Sequence, residues 1–260
     1  MGHGITWLSF LPGYQQIEHY LQSHYRGVLG SPVGAQHMYS AVLVTLILWL
    51  IALRARMQLN RAGENAVIPD ARVNIRNVLE VSFEALYRQS KQIIGKDASR
   101  YFPVIGTLAL FIFVSNVLGL VPGFSPPTDN LNTTVACGGF VFLYYNFHGL
   151  RKHGMGHIAH LANPTGAWWG WFLAPLMFPI EVVSHIARPV SLGIRLAANM
   201  TGDHAVLAAA LGMVPLLVPL PFMALGLLVC VVQTMVFALL SMIYIGMSVA
   251  DAHGDDAHAH

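Results

Sequence analysis

From Ala205 to Ala250 the chain runs 46 residues without one charged side chain. Few environments other than a lipid bilayer suit such a run. A helix needs ~20 residues to cross a hydrocarbon core of ~30 Å, so 46 residues are too many for one crossing. Pro215, Pro219 and Pro221 supply the break. Upstream, the chain is already apolar from Ala167. The reading is a helix over 173–212, a short turn and a last helix over 221–250. At ~1.5 Å per residue the first of these would measure ~60 Å, so it must tilt steeply, kink at Pro179 or Pro189, or extend beyond the core. Composition agrees. Hydrophobic residues make up 55% and charged residues 10%, where a soluble domain carries about 25% charged residues. Mean hydropathy is +0.56. The net charge of +2 implies no polyanion, and so no nucleic-acid partner.

The rest of the chain divides by the same logic. His37 to Leu53 is a first span, with Tyr39 and Trp49 placed for the interfaces, and Arg54, Arg56 and Arg61 follow it. Residues 72–99 alternate charge and apolarity with helical period: Leu79, Phe83, Leu86 and Ile93 share one face, and Glu80, Glu84, Arg88 and Lys91 crowd another. That pattern predicts an amphipathic helix on the membrane surface. Spans over 101–121 and 131–150 follow, separated by the turn-forming VPGFSPPTDN, and Arg151 and Lys152 end the second of them. The expected fold is an all-α integral membrane protein. It has five transmembrane helices plus one amphipathic surface helix, the last two spans long and tilted, all in a single membrane domain over 1–260. The N-terminal MGHGITWLSFLPG has no positively charged start and reads as mature chain. Cys137 and Cys230 sit singly in apolar runs, as packing residues. Of the 14 Lys and Arg, two lie in the 173–212 helix. Eleven of the rest fall after the first span, along the surface helix or after the third span, and only Arg26 falls on the opposite side. The positive-inside rule therefore predicts the N-terminus outside and the C-terminus in the cytoplasm.

Ionisable groups inside a membrane helix mark function by default. In the 173–212 helix Glu181, Ser184, Arg188, Ser191, Arg195, Asn199 and Asp203 recur at steps of 3 or 4. At 100° per residue they form one slowly drifting stripe, opposite Ile186, Val190 and Ala197. Such a face must meet protein or water, because lipid would leave it unsatisfied. The orientation puts Glu181 toward the cytoplasm, Arg195 near mid-membrane, and Asp203 and His204 toward the outside. Arg188 is close enough to the cytoplasmic end to snorkel; Arg195 is too far from either end. A guanidinium stays charged and carries no proton. What it does is hold a nearby carboxylate ionised and repel cations that would leak along the stripe. No carboxylate in the last helix faces Arg195, and Gln233 is the one strongly polar group in the middle of 222–240. The partner acid is expected from another subunit.

The segment Arg188-Pro-Val-Ser-Leu-Gly-Ile-Arg195-Leu-Ala-Ala-Asn199-Met-Thr-Gly-Asp-His204 resembles the signature of the a subunits of F-type ATP synthases. Ser115 to Gly123 and Pro127 to Thr134 are similar to that family's second and third spans, and Gln233 with Ser241, Tyr244 and Met247 to its last helix. The resemblance implies a stator subunit beside a rotating ring of c subunits, with b-type peripheral stalk subunits, the rest of the F-type ATP synthase and the lipid bilayer as its other partners. It implies a bacterial inner membrane, no cofactor and no catalysis on this chain. Arg195 matches the arginine that faces the ring carboxylate. Asn199, His204 and Gln233 match polar residues of the outer half-channel, and Glu181 and Ser184 positions of the inner one. The family often pairs an ionisable residue near His204 with one in the last helix, where this chain has Gly226. His204 is then the titrating group of the two positions, and Asp203 is an unusual neighbour for it.

Three other classes compete. A secondary transporter would show internal repeats and helices broken at matching positions, and neither is visible. An ordinary ion channel would need one continuous pore along the stripe. A membrane metalloenzyme could draw on His148, His153, His157 and His160 or on the histidines of the tail from His253 to His260, but no acidic ligands accompany them.

Overall fold

The computed structural model describes residues 7–10, 13–27, 34–62, 75–121, 123–154, 170–213 and 219–249. Among these, seven α-helices account for nearly all residues: α1 (Tyr14–His24), α2 (Gln36–Ala62), α3 (Ile75–Ile94), α4 (Ala98–Gly119), α5 (Leu131–His153), α6 (Gly170–Met213) and α7 (Pro219–Val249). The polar-striped helix is α6 and the uncharged one α7. Helix α1 has no counterpart in the sequence reading. It is short and largely polar, held by local contacts such as Gln22 donating to Glu18 at 3.2 Å and Tyr20 stacked on His24.

Three described stretches are long and apolar enough to cross a bilayer: Gln36–Asn60, Arg76–Gly119 and Leu220–Val249. The second joins α3 to α4 through the single 3-10 turn Gly95–Asp97. Helices α5 and α6 are not among them; α6 is interrupted by charged groups, which is the point of interest. At 44 residues, α6 measures ~66 Å. It runs through Pro175, Pro179 and Pro189 without leaving the helical state.

Local chemistry sets the ends. Helix α5 begins where Asn130, its side chain accepting from the Asn132 N–H at 2.9 Å, caps the first turn. A Pro-initiated 3-10 turn, Pro127–Asp129, delivers the chain to that cap. Along α3, Arg76–Glu80 and Glu84–Arg88 pair at 2.9 Å one turn apart. The other face of α3 packs its aromatic rings on α4, with Phe83 and Tyr87 edge-on to Phe102.

The core lies where α4, α5, α6 and α7 meet: Tyr101, Ile105 and Ile112 from α4, Val141 and Tyr145 from α5, Leu192 and Leu196 from α6, and Phe237, Met242 and Ile245 from α7. In lipid, apolar contact alone gives helices little reason to associate; close van der Waals fit and small residues do. Helices α5 and α6 meet that way. A Cβ added at Gly138 would lie 2.7 Å from the Pro189 carbonyl oxygen, and one at Gly193 would lie 3.1 Å from the Thr134 carbonyl oxygen. The two contacts pair an earlier residue of α5 with a later one of α6, so the helices are antiparallel and their backbones nearly touch. That double contact fixes the rotation of α6 about its axis and hence the direction of its stripe. Cys137 and Cys230 are free thiols on different helices.

Candidate functional site

Helix α6 carries Glu181, Ser184, Arg188, Ser191, Arg195, Asn199 and Asp203 unbroken on one side. Leu192, Leu196 and Met200 turn into the core. Ser184, Ser191, Arg195 and Asn199 are exposed at the flank of the bundle, with Glu181, Arg188 and Asp203 half-buried along its edge. Arg195 forms no ion pair or hydrogen bond with any described residue. Its guanidinium is held by a rigid helix yet offered outward.

On the C-terminal side of Arg195 polar groups converge from four elements. Asn199 Nδ2 donates to Gln233 Oε1 at 2.9 Å, joining α6 to α7. Gln233 is buried, and its Nε2 has no partner among the described residues. Asp203 Oδ2 and His204 Nε2 are likewise buried with no partner among the described residues. Gly119 leaves room for His204: a Cβ there would come within 2.8 Å of both His204 Nε2 and Pro126 Cγ. Buried polar atoms are nearly always satisfied by protein or by ordered water. Three such atoms without a described protein partner lie in this cluster. Two further links close the group: Thr201 donates to Asp129 at 2.5 Å, and Thr128 donates to Asn116 Oδ1 at 2.7 Å inside the bundle.

On the N-terminal side the constellation is ionic and aromatic. Glu181 Oε1 lies 3.8 Å from His185 Nε2 and 3.8 Å from the Arg188 guanidinium. His185 Nδ1 meets the Tyr145 hydroxyl of α5 at 3.1 Å. The Arg188 guanidinium sits 5.6 Å over the Tyr244 ring of α7, a cation–π distance. Ser184 faces outward beside this group.

The sequence-derived positions thus separate into two groups along α6, Glu181 and Ser184 on one side of Arg195, and Asn199, Asp203, His204 and Gln233 on the other. Six participants are absent from the sequence-derived set: His185, Tyr145, Thr201, Asp129, Thr128 and Asn116. His185 is signalled by its one-turn spacing from Glu181, and Asp129 by its place after two prolines. Tyr145 and Thr201 carry no such signal. Of the histidines considered as metal ligands, His148 packs edge-on against Tyr101 and Tyr144. His157, His160 and the histidines of the tail lie outside the described residues.

Comparisons with known proteins point one way. A family model described as ATP synthase A chain matches residues 37–246. The ATP synthase subunit a of Sorangium cellulosum is 44% identical over 223 residues, 85% of this chain and 85% of that one. That of Bdellovibrio bacteriovorus is 41% identical over 225 residues, 85% of this chain and 96% of that one. That of Trichlorobacter lovleyi is 40% identical over 253 residues, 97% of this chain and all of that one. With a match across the whole helical bundle and an arginine-bearing helix at its flank, the chain belongs to the ATP synthase A chain family, membrane subunits of the F-type ATP synthase.

Proposed function

We propose that this chain is the proton-translocating stator subunit of its ATP synthase, with two aqueous half-channels that meet at Arg195 and open to opposite sides of the membrane. The observation that carries the reading is the exposed, unpartnered guanidinium on the flank of a packed bundle. A fixed charge at that depth needs a counter-charge, and none of the described residues pairs with it. A carboxylate on the c-subunit ring supplies it.

A proton enters from outside past His204, Asn199 and Gln233 and neutralises a ring carboxylate. The neutral acid can move into lipid, which an ionised one could do only at a cost of several kcal/mol. After nearly a full turn it meets the second half-channel near Ser184 and Glu181 and loses its proton inward. Between the two, Arg195 keeps the acid ionised and blocks a direct leak. The membrane potential contributes ~2.3 kcal/mol per charge per 100 mV. ATP chemistry belongs to other subunits. Five spans, an external N-terminus, a cytoplasmic C-terminus, a bacterial inner membrane and contact with b-type stalk subunits complete the proposal.

The test is ATP-driven acidification of inverted membrane vesicles that carry the whole complex. Arg195→Ala should abolish it while the complex still assembles. Normal pumping by that variant removes the basis of the reading.

A further inference from the structure

His185 is an imidazole on the striped helix to which the two-channel reading gives no task. His185 lies on α6 one turn from Glu181 and ten residues from Arg195, or ~15 Å along the helix axis. Its side chain is 14% exposed, against 34% for Glu181. Among the described residues it meets Glu181 of its own helix and Tyr145 of α5; one step further out, Arg188 pairs with the same Glu181 carboxylate and the Tyr244 ring of α7 lies 6.0 Å from that of Tyr145.

The arrangement has a direction. With the Tyr145 hydroxyl donating to Nδ1, the neutral ring carries its own proton on Nε2, and that atom faces the Glu181 carboxylate 3.8 Å away. A phenol hydroxyl can also accept. When the ring is doubly protonated, the hydroxyl turns and the contact survives. The same geometry therefore serves both protonation states. Tyr145 itself is buried, with 1% exposure, and the Ser248 hydroxyl donates to its carbonyl at 3.0 Å, so the ring it holds is well placed. Chemistry favours the imidazole over its neighbours. An ordinary imidazole exchanges protons near pH 6.5, whereas carboxylates and phenols do so far below or above neutrality. Glu181 shares its carboxylate between His185 and Arg188 and is suited to balance an imidazolium.

We propose that His185 is a proton-carrying group of the cytoplasmic half-channel, oriented by the Tyr145 hydroxyl and exchanging protons with water at the Glu181 carboxylate. The ring takes up a proton at one nitrogen and releases one at the other, and its passing positive charge is opposed by Glu181. This rests on the two-channel reading. Tyr145 is a positioning residue.

In inverted vesicles the outer solution is the cytoplasmic side, and ATP-driven pumping draws protons through this half-channel. His185→Gln, in complexes verified to retain this subunit, should slow acidification by ~100-fold, the low end of what losing a placed acid–base group costs. Imidazole added to the outer solution should restore much of the rate; an equal concentration of sodium chloride should not. Tyr145→Phe should slow pumping less and displace the midpoint of its pH profile, which decides the matter should His185→Gln fail to assemble. Wild-type pumping by His185→Gln with an unchanged pH profile overturns the proposal. So does a slow His185→Gln that imidazole leaves slow, together with an unshifted profile in Tyr145→Phe. Arg195→Ala in the same preparation separates the two ideas: if it pumps normally the two-channel reading falls, and if it is inactive while His185→Gln is normal only the role of His185 falls.

Discussion

Adjacent glycines on α5 give a sharply controlled test of what fixes the stripe. A methyl group at position 138 would sit 2.7 Å from the Pro189 carbonyl oxygen, about 0.7 Å inside the 3.4 Å at which ordinary contact begins. Position 139 has nothing within 4 Å of the same point. Gly138→Ala must push α5 and α6 apart or turn one against the other, because the obstacle is backbone and cannot swing away. Overpacking of this kind costs ~1–3 kcal/mol. Gly139→Ala meets no obstacle and removes a flexible residue from a helix, a gain of ~0.5–1 kcal/mol. The expected difference between neighbours is therefore ~1.5–4 kcal/mol. Thermal disassembly of the detergent-solubilised complex, followed by retention of this subunit, gives the stability order. ATP-driven pumping gives the functional one: Gly138→Ala should be impaired, because turning α6 re-aims Arg195, while Gly139→Ala should pump normally. Equal stability and equal pumping in the two variants would refute the argument that the backbone contact sets the rotation of α6.

Three other outcomes follow from the same geometry. Arg195→Lys should fail to pump almost as completely as Arg195→Ala, since an ammonium in a low-dielectric site can lose its proton and lacks the planar fork; ATP-driven acidification checks it. A cysteine replacing Gly63 should be labelled by an impermeant thiol reagent only from the cytoplasm, and one replacing Ser125 only from outside; reversed labelling at both exchanges the two half-channels. Ser184→Cys and Asn199→Cys should react with silver ions from opposite faces, whereas a continuous pore makes both reactive from either face and leaves the membrane leaky.

What the sequence discloses here, and what it withholds, follows from the range of the interactions. The stripe on α6 is legible because a 3.6-residue period is a local property: seven polar residues in an apolar helix point one way whatever surrounds them. The break before α7 is legible for the same reason, in three prolines. The partners of the stripe are another matter. Tyr145 reaches His185 across 40 positions, and Thr201 reaches Asp129 across 72; no period or motif within either segment encodes the pairing. Gly138 and Gly193 look like any helix glycines until the opposing backbone is seen beside them. Helix α1 escapes notice because it is short and polar, with neither a span's hydropathy nor a strong apolar face. The number of crossings stays with the sequence argument, because α5 and α6 mix polar with apolar residues along their length.

The open guanidinium of Arg195 also has a bearing on how such a protein is made. In a newly inserted chain it has no carboxylate to meet, and an arginine at mid-helix costs ~2.5–3.5 kcal/mol on insertion-based scales. Elsewhere on the same helix the apolar Val183, Ile186, Val190 and Ile194 are exposed as well. On the two-channel reading, docking against the ring would relieve that state, so the charge assigned to transport would also favour assembly. A cell that synthesised this chain without its partner would hold a membrane protein with one unfinished side, open to surveillance proteases until the ring arrives. The residue at the centre of proton transfer would then also report, through the lifetime of the chain, whether the complex around it is complete.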